Sequence, residues 1–300
     1  MKNFSYQPDP KRLPCQAPLT QASLWDTDLL PLADYILSFS SQTPEARQYA
    51  ETHLGRFVRT LELVPKGGPA DRVLEMGAYM QITPALHTKS GYGEVRGCYL
   101  GALRRRWLGR PVHRSEKKTV TSSNGESFTC IIDLFNAESD LYPYPDGHFA
   151  TVVCCELFEH LSEDPMHLIA EVNRILRPGG HLVLSTPNIC TLRSVAAVLK
   201  GYHPGLFSQF IKRTGENQAD PRHAREYTPA EIQHVLEAGG FTLEHLETGP
   251  YGMERVAEWD WTIDLLQQHS LHTDLRDQVI HAIGKKAGAV VDRYPSWLYA

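Results

Sequence analysis

Residues 149–186 read FATVVCCELFEHLSEDPMHLIAEVNRILRPGGHLVLST. Phe149 to Cys155 is an apolar run of strand length, interrupted only by Thr151, the pattern of a strand buried on both faces. From Asp164 to Arg177, Leu168, Ile169, Val172, Ile175 and Leu176 recur at helical spacing, which predicts an amphipathic helix. Pro178-Gly179-Gly180 stops that helix, and His181 to Thr186 follows as a second strand. Strands alternating with helices predict a parallel sheet covered by helices on both faces.

The alternation extends outward. Arg72 to Glu75, Glu94 to Leu100 and Ser127 to Leu134 read as earlier strands, and Phe241 to Leu246 and Gln278 to Gly284 as later ones. Thr228-Pro229-Ala230-Glu231 is a capping box that opens a helix running to Gly239-Gly240. Asn124-Gly125, between Thr119–Ser122 and Ser127–Ile132, is a two-residue hairpin signal and predicts an extra strand antiparallel to the third one. Upstream, Thr43-Pro44 caps a helix with Ala46, Ala50, Leu54, Phe57, Val58 and Leu61 on one face. The breaker cluster Pro65 to Pro69 marks a boundary. The expected organisation is an N-terminal arm and helical cap (1–70) and an α/β domain (71–300). Insertions are expected at about 104–126 and, on the substrate side, about 250–276.

Charge and composition exclude several classes. The 300 residues carry 30 Lys and Arg against 35 Asp and Glu, a net charge of −5, which argues against a protein that mainly coats nucleic acid. The basic run Arg104, Arg105, Arg106, Arg110, Arg114, Lys117 and Lys118 is read as a solvated insertion, so no nucleic-acid partner is expected. No apolar run approaches the ~18 residues of a membrane span. Met1 to Leu13 is polar and does not read as a secretory signal, so a cytoplasmic location is expected. The six cysteines (Cys15, Cys98, Cys130, Cys154, Cys155, Cys190) form no C-x-x-C pair and no His sits at zinc-finger spacing. Free thiols and no metal are expected.

In such a sheet, ligands bind at the carboxyl ends of the strands. The segments found there, in order, are V-L-E-M-G-A at 73–78, Asp133, Y-P-Y-P-D-G-H-F at 142–149, C-E-L-F-E-H-L at 155–161, R-P-G-G at 177–180 and S-T-P-N at 185–188, with an echo in E-Y-T-P-A-E-I…G-G-F at 226–241. This ordered set resembles the class I S-adenosylmethionine-dependent methyltransferases, of the small-molecule type that includes ubiquinone-biosynthesis O-methyltransferases. The resemblance implies a Rossmann-like, doubly wound seven-stranded sheet with the last strand antiparallel. It also implies S-adenosylmethionine as cofactor, S-adenosylhomocysteine as product, and methyl transfer to a small-molecule acceptor, with oxygen preferred; a homodimer is compatible.

By the same resemblance, Glu75 lies near the cofactor's ammonium, Gly77 and Ala78 line its path, Asp133 accepts from the adenine amino group beside Leu134, and the Cys155 backbone faces the methionine part. Tyr99 stands where the family has a ribose-binding acid, Tyr79 and Gln81 where it has further turn glycines, and Ala150 where it has an aspartate. His160 has two readings, a general base toward an acceptor hydroxyl or a pin between loop and helix, and a helical start would pair it with Glu156. His223, Arg225 and Tyr227, with His203 and Arg222, are candidates for the acceptor side, and Trp259 and Trp261 for its cover. The alternative function is a non-catalytic binding or scaffold protein on a degenerate methyltransferase fold, for which Tyr79, Gln81 and Tyr99 speak.

Overall fold

The computed structural model describes residues 30–40, 43–99, 114–206, 223–253 and 257–300. Its strands are β1 (Arg72–Met76), β2 (Glu94–Tyr99), β3 (Arg114–Thr121), β4 (Ser127–Leu134), β5 (Phe149–Cys155), β6 (Leu176–Pro187), β7 (Phe241–Gly249) and β8 (Val279–Lys286). They form one sheet in the order β3-β4-β2-β1-β5-β6-β8-β7. β4, β2, β1, β5 and β6 are parallel neighbours, and β8 runs antiparallel to both β6 and β7. This is the expected doubly wound sheet with its last strand reversed. The Asn124-Gly125 hairpin adds β3, antiparallel to β4, as an eighth strand at one edge.

β5 lies between helices on both faces, and Val152, Val153 and Cys154 have no exposed surface. On one face, α5 (Pro165–Ile175) and α7 (Pro229–Ala238) contribute Leu168, Val172, Val235 and Leu236 to a core with Leu74, Val152 and Leu182. On the other, α3 (Leu54–Leu63) and α4 (Thr83–Thr88) bring Phe57, Leu61 and Leu86 against Val73, Val153 and Val183. Phe39, at the end of α1 (Leu30–Phe39), packs with Ile132 and Leu134 near the β3 edge.

Two junctions differ from the sequence pattern. The helix capped by Thr43 breaks at His53 into α2 (Pro44–Thr52) and α3. The break lays α3 against residues 251–253: the Arg56 amide donates to Tyr251 O at 3.0 Å, and a Cβ on Gly55 would meet Gly252 O at 1.9 Å. The second is the end of α5. It stops at Ile175, not Arg177, and β6 begins at once, with Leu176 opposite Phe149 and a register shift before His181 pairs with Thr151. Gly179, at φ +73°, absorbs the turn, so Pro178-Gly179-Gly180 is an irregularity within a strand and not a loop.

Gly97 of β2 holds the site's floor together. A Cβ there would lie 2.4 Å from Ile132 Cδ1 and 2.6 Å from Ala78 Cβ. Gly97→Ala is therefore expected to cost roughly 1–3 kcal/mol through overpacking, read as a lower urea midpoint. An unchanged midpoint would show that the first turn yields freely.

Among the described residues, no helix is long and apolar enough to cross a membrane, and Cys98, Cys130, Cys154, Cys155 and Cys190 are free thiols.

Candidate active site

Strand order reverses at β1, which has β2 on one side and β5 on the other, and a crevice opens at the carboxyl ends of such strands. Gly77 and Ala78 both donate their amides to Cys98 O, at 2.8 and 3.1 Å, which fixes the first turn to β2. Gly77 adopts φ +72°, and a Cβ built on it meets only Cys155 O, at 4.0 Å. Backbone thus faces backbone across the crevice, with room that a side chain would fill. Met80 (φ +74°) and Glu156 (φ +50°), non-glycine residues in the left-handed region, stand on its two sides; strain of this kind persists only where the surroundings hold it.

Glu75 is 6% exposed, and its Oε2 has no hydrogen-bond partner. Burial pushes the carboxyl up to about 7. A buried acceptor without a donor is costly and suits a cationic amine brought by a ligand. The donor it lacks and the space above Gly77 are what the aminoacyl part of S-adenosylmethionine would supply and fill.

Tyr99 ends β2, and its hydroxyl donates to Glu116 Oε1 at 2.5 Å. That hydrogen bond, more than burial, raises the phenol to about 12. The ring stacks on Tyr79 (centroids 6.3 Å apart, planes 14° apart), with Lys118 Nζ 5.8 Å from its centroid. A carboxylate from β3 thus stands at the end of β2. Glu116 was not among the sequence candidates. The signal for it was the hairpin register, which from Asn124-Gly125 places Glu116 opposite Ile132.

Asp133 has no exposed surface. Arg96 donates to both its oxygens (3.0 and 2.7 Å), Ser115 Oγ to Oδ1 (2.5 Å) and Tyr144 OH to Oδ2 (2.8 Å). Burial would raise its pKa, but these donors outweigh it and hold the carboxyl below its usual range. The carboxylate expected at the adenine is thus held by Arg96, Ser115 and Tyr144. Leu134, its neighbour, lies beside Tyr99 in the β2–β4 pairing.

Beyond β5 the chain makes a 3₁₀ turn at Phe158–His160, not a helix. The expected Glu156–His160 pairing gives way to another arrangement. Glu156 accepts from Ser185 Oγ at 3.2 Å and opposes the buried Arg56 guanidinium, whereas His160 Nε2 lies 3.8 Å from Glu159 Oε1. His223 reaches the same spot: its ring meets that of His160 edge-on, centroids 5.1 Å apart. Ala224 and Arg225 amides donate to Glu159 O at 2.8 and 3.1 Å, docking this segment on the turn.

The other acceptor-side candidates are placed differently. Tyr227 is 1% exposed and packs on Phe158 in the core. Arg225 donates to Glu231 Oε1 at 2.7 Å and lies over the Tyr227 ring, bracing the start of α7. His203 Nδ1 accepts from the Gly205 amide. Trp259 and Trp261 flank Lys200 Nζ at 5.2 and 5.6 Å. Arg222 and most of the basic run (Arg104, Arg105, Arg106, Arg110) lie outside the described residues.

Residues 47–246 match the family described as "Methyltransferase domain". A Mycolicibacterium smegmatis protein named "Probable S-adenosylmethionine-dependent methyltransferase" is 31% identical over 113 residues, 38% of this chain and 36% of its own length. The chain thus spans about a third of that relative. Among solved structures, an S-adenosylmethionine-dependent methyltransferase from Mesorhizobium loti superposes with a TM-score of 0.43 (15% identity, 78% of this chain and 97% of that one). One from Archaeoglobus fulgidus does so at 0.44 (17% identity, 80% and 94%). The family match covers both sides of the crevice, from α2 to β7, and the chain belongs to the S-adenosylmethionine-dependent methyltransferase family.

Proposed function

We propose that this chain moves the methyl group of S-adenosylmethionine to an oxygen of a small-molecule acceptor. The observation that carries this reading is the partnerless Oε2 of Glu75 beside the open backbone of Gly77, one strand from Cys155. In this reading Glu75 holds the ammonium, Gly77 and Ala78 lie under the methionine part, and the Cys155 carbonyl faces it from β5. Tyr99 and Glu116 together receive the ribose hydroxyls, a task that one phenol could not perform in bidentate fashion. Adenine rests by Leu134, while Asp133 serves through Arg96 and Tyr144 to hold the strand end rigid.

The sulfonium is a good leaving group, so the protein's contribution is alignment of acceptor, methyl and sulfur, and exclusion of water. His160, His223 and Glu156 form the acceptor side, and α2 and α3 wall it off. The test is turnover with methyl-labelled cofactor against matched hydroxyl and amine acceptors, with mass-spectrometric detection of S-adenosylhomocysteine and of the labelled product. Label on oxygen is expected. Label on nitrogen or carbon would overturn the acceptor assignment, and cofactor binding without any turnover would favour the non-catalytic alternative.

A further inference from the structure

One cluster at the crevice is not needed to hold the cofactor. Glu159 is 1% exposed; Thr186 Oγ1 donates to its Oε2 at 3.0 Å, but Oε1 has no hydrogen-bond partner. That oxygen points to His160, and His223 joins from a distant segment, so that one ligand atom from each of the three lies within 4.8 Å of the others. A carboxylate oxygen left unpaired in the interior is unfavourable, and two imidazoles face it. Second, His223 Nδ1 lies 2.9 Å from Glu226 Oε1. A carboxylate on one ring nitrogen is the outer-sphere arrangement that sets the tautomer and aims the other nitrogen at an ion. Third, the amides of Ala224 and Arg225 on Glu159 O fix the two segments relative to each other.

We propose that Glu159, His160 and His223 bind one divalent transition-metal ion at the acceptor side of the crevice. Two imidazoles and a carboxylate suit zinc, cobalt, iron or manganese better than calcium or magnesium. Ligands each about 2 Å from an ion stand roughly 3–4 Å apart, so side-chain rotation must close the triangle slightly. Three protein ligands leave coordination positions open, as in catalytic and not structural sites.

If the methyltransferase reading holds, the open position takes the acceptor's hydroxyl. The hydroxyl's proton passes to solvent, an oxygen lone pair forms the bond to the methyl carbon, and the carbon–sulfur bond breaks with its electrons on sulfur. The products are a methyl ether and S-adenosylhomocysteine. His160 is then a ligand and not the general base. The absence of local C-x-x-C or zinc-finger spacing hid this set, because its third member lies beyond α6 (Leu192–Leu199).

The test is titration of the full chain, stripped with chelator, with cobalt(II), followed by its visible d–d absorption and by zinc displacement. One equivalent is expected. His160→Ala and His223→Ala should each weaken binding about 100-fold or more, since even outer partners of metal ligands are worth 10–100-fold. Both variants should keep the thermal midpoint and the binding of S-adenosylhomocysteine, so failure of the metal site and failure of the cofactor site are told apart. No cobalt absorption, or the same absorption in both variants, overturns the proposal. Should either alanine variant unfold, the glutamine variant at that position makes the same comparison.

Discussion

Arg96→Met is expected to destabilise the protein by about 3–5 kcal/mol at pH 7, the cost of leaving a buried charge without its partner. Asp133 has no exposed surface and takes two of its hydrogen-bonded partners from other segments, Ser115 from β3 and Tyr144 from the chain before β5. Neither replaces a guanidinium. The pH dependence follows from the sign of the shift. The Asp133 carboxyl is held below its usual range in the folded chain, so its contribution is present above the unfolded value of 3.8 and is lost as pH falls through the folded one. In the variant that advantage is gone, so urea curves of the two proteins should converge as the solution is acidified below about pH 4. A loss under about 1 kcal/mol at pH 7 would mean that Ser115 and Tyr144 suffice.

Glu75 should behave in the opposite sense. Burial raises its pKa to about 7 in the folded chain, against 4.5 as its reference. The native state then binds a proton that the unfolded state has released. The stability this confers is full below pH 4.5 and disappears as pH rises through 7, a change of order 3 kcal/mol. Glu75→Gln should therefore flatten the stability profile over that interval and be more stable than the parent at pH 8. It should nevertheless lose the cofactor, because a neutral amide cannot pair with an ammonium. In the parent, affinity for S-adenosylmethionine should rise as pH passes through 7. A variant that is less stable at pH 8 and binds as tightly as the parent would remove Glu75 from the site.

What the sequence disclosed and what it hid divide along physical lines. Local chemistry was legible: the Thr228–Glu231 capping box is formed in both directions, and the Asn124-Gly125 turn sets the β3–β4 register. Continuous apolar runs located the strands, because parallel strands buried on both faces need no alternation. Relations between strands were not legible. Asp133 meets Arg96 diagonally across β2 and β4, a neighbourhood that exists only once strand order is known. Glu116 reaches Tyr99 across the intervening β4, a contact that likewise exists only once strand order is known. Tyr227 reads as polar and loop-like, yet its ring fills the core while Arg225 covers its face. Pro178-Gly179-Gly180 pointed to a helix end at Arg177 and a strand from His181, but Leu176 found a partner in Phe149 and the strand began early.

In the proposed function, the β1–β5 crevice binds S-adenosylmethionine through Glu75 and the bare turn at Gly77. Calorimetric titration of the purified chain with S-adenosylmethionine tests it, with Gly77→Leu alongside. One equivalent at micromolar affinity, about −8 kcal/mol, lost in Gly77→Leu because its side chain fills the space opposite Cys155, is the predicted result. No heat and no thermal shift for the parent chain at millimolar ligand, or undiminished binding in Gly77→Leu, would contradict it.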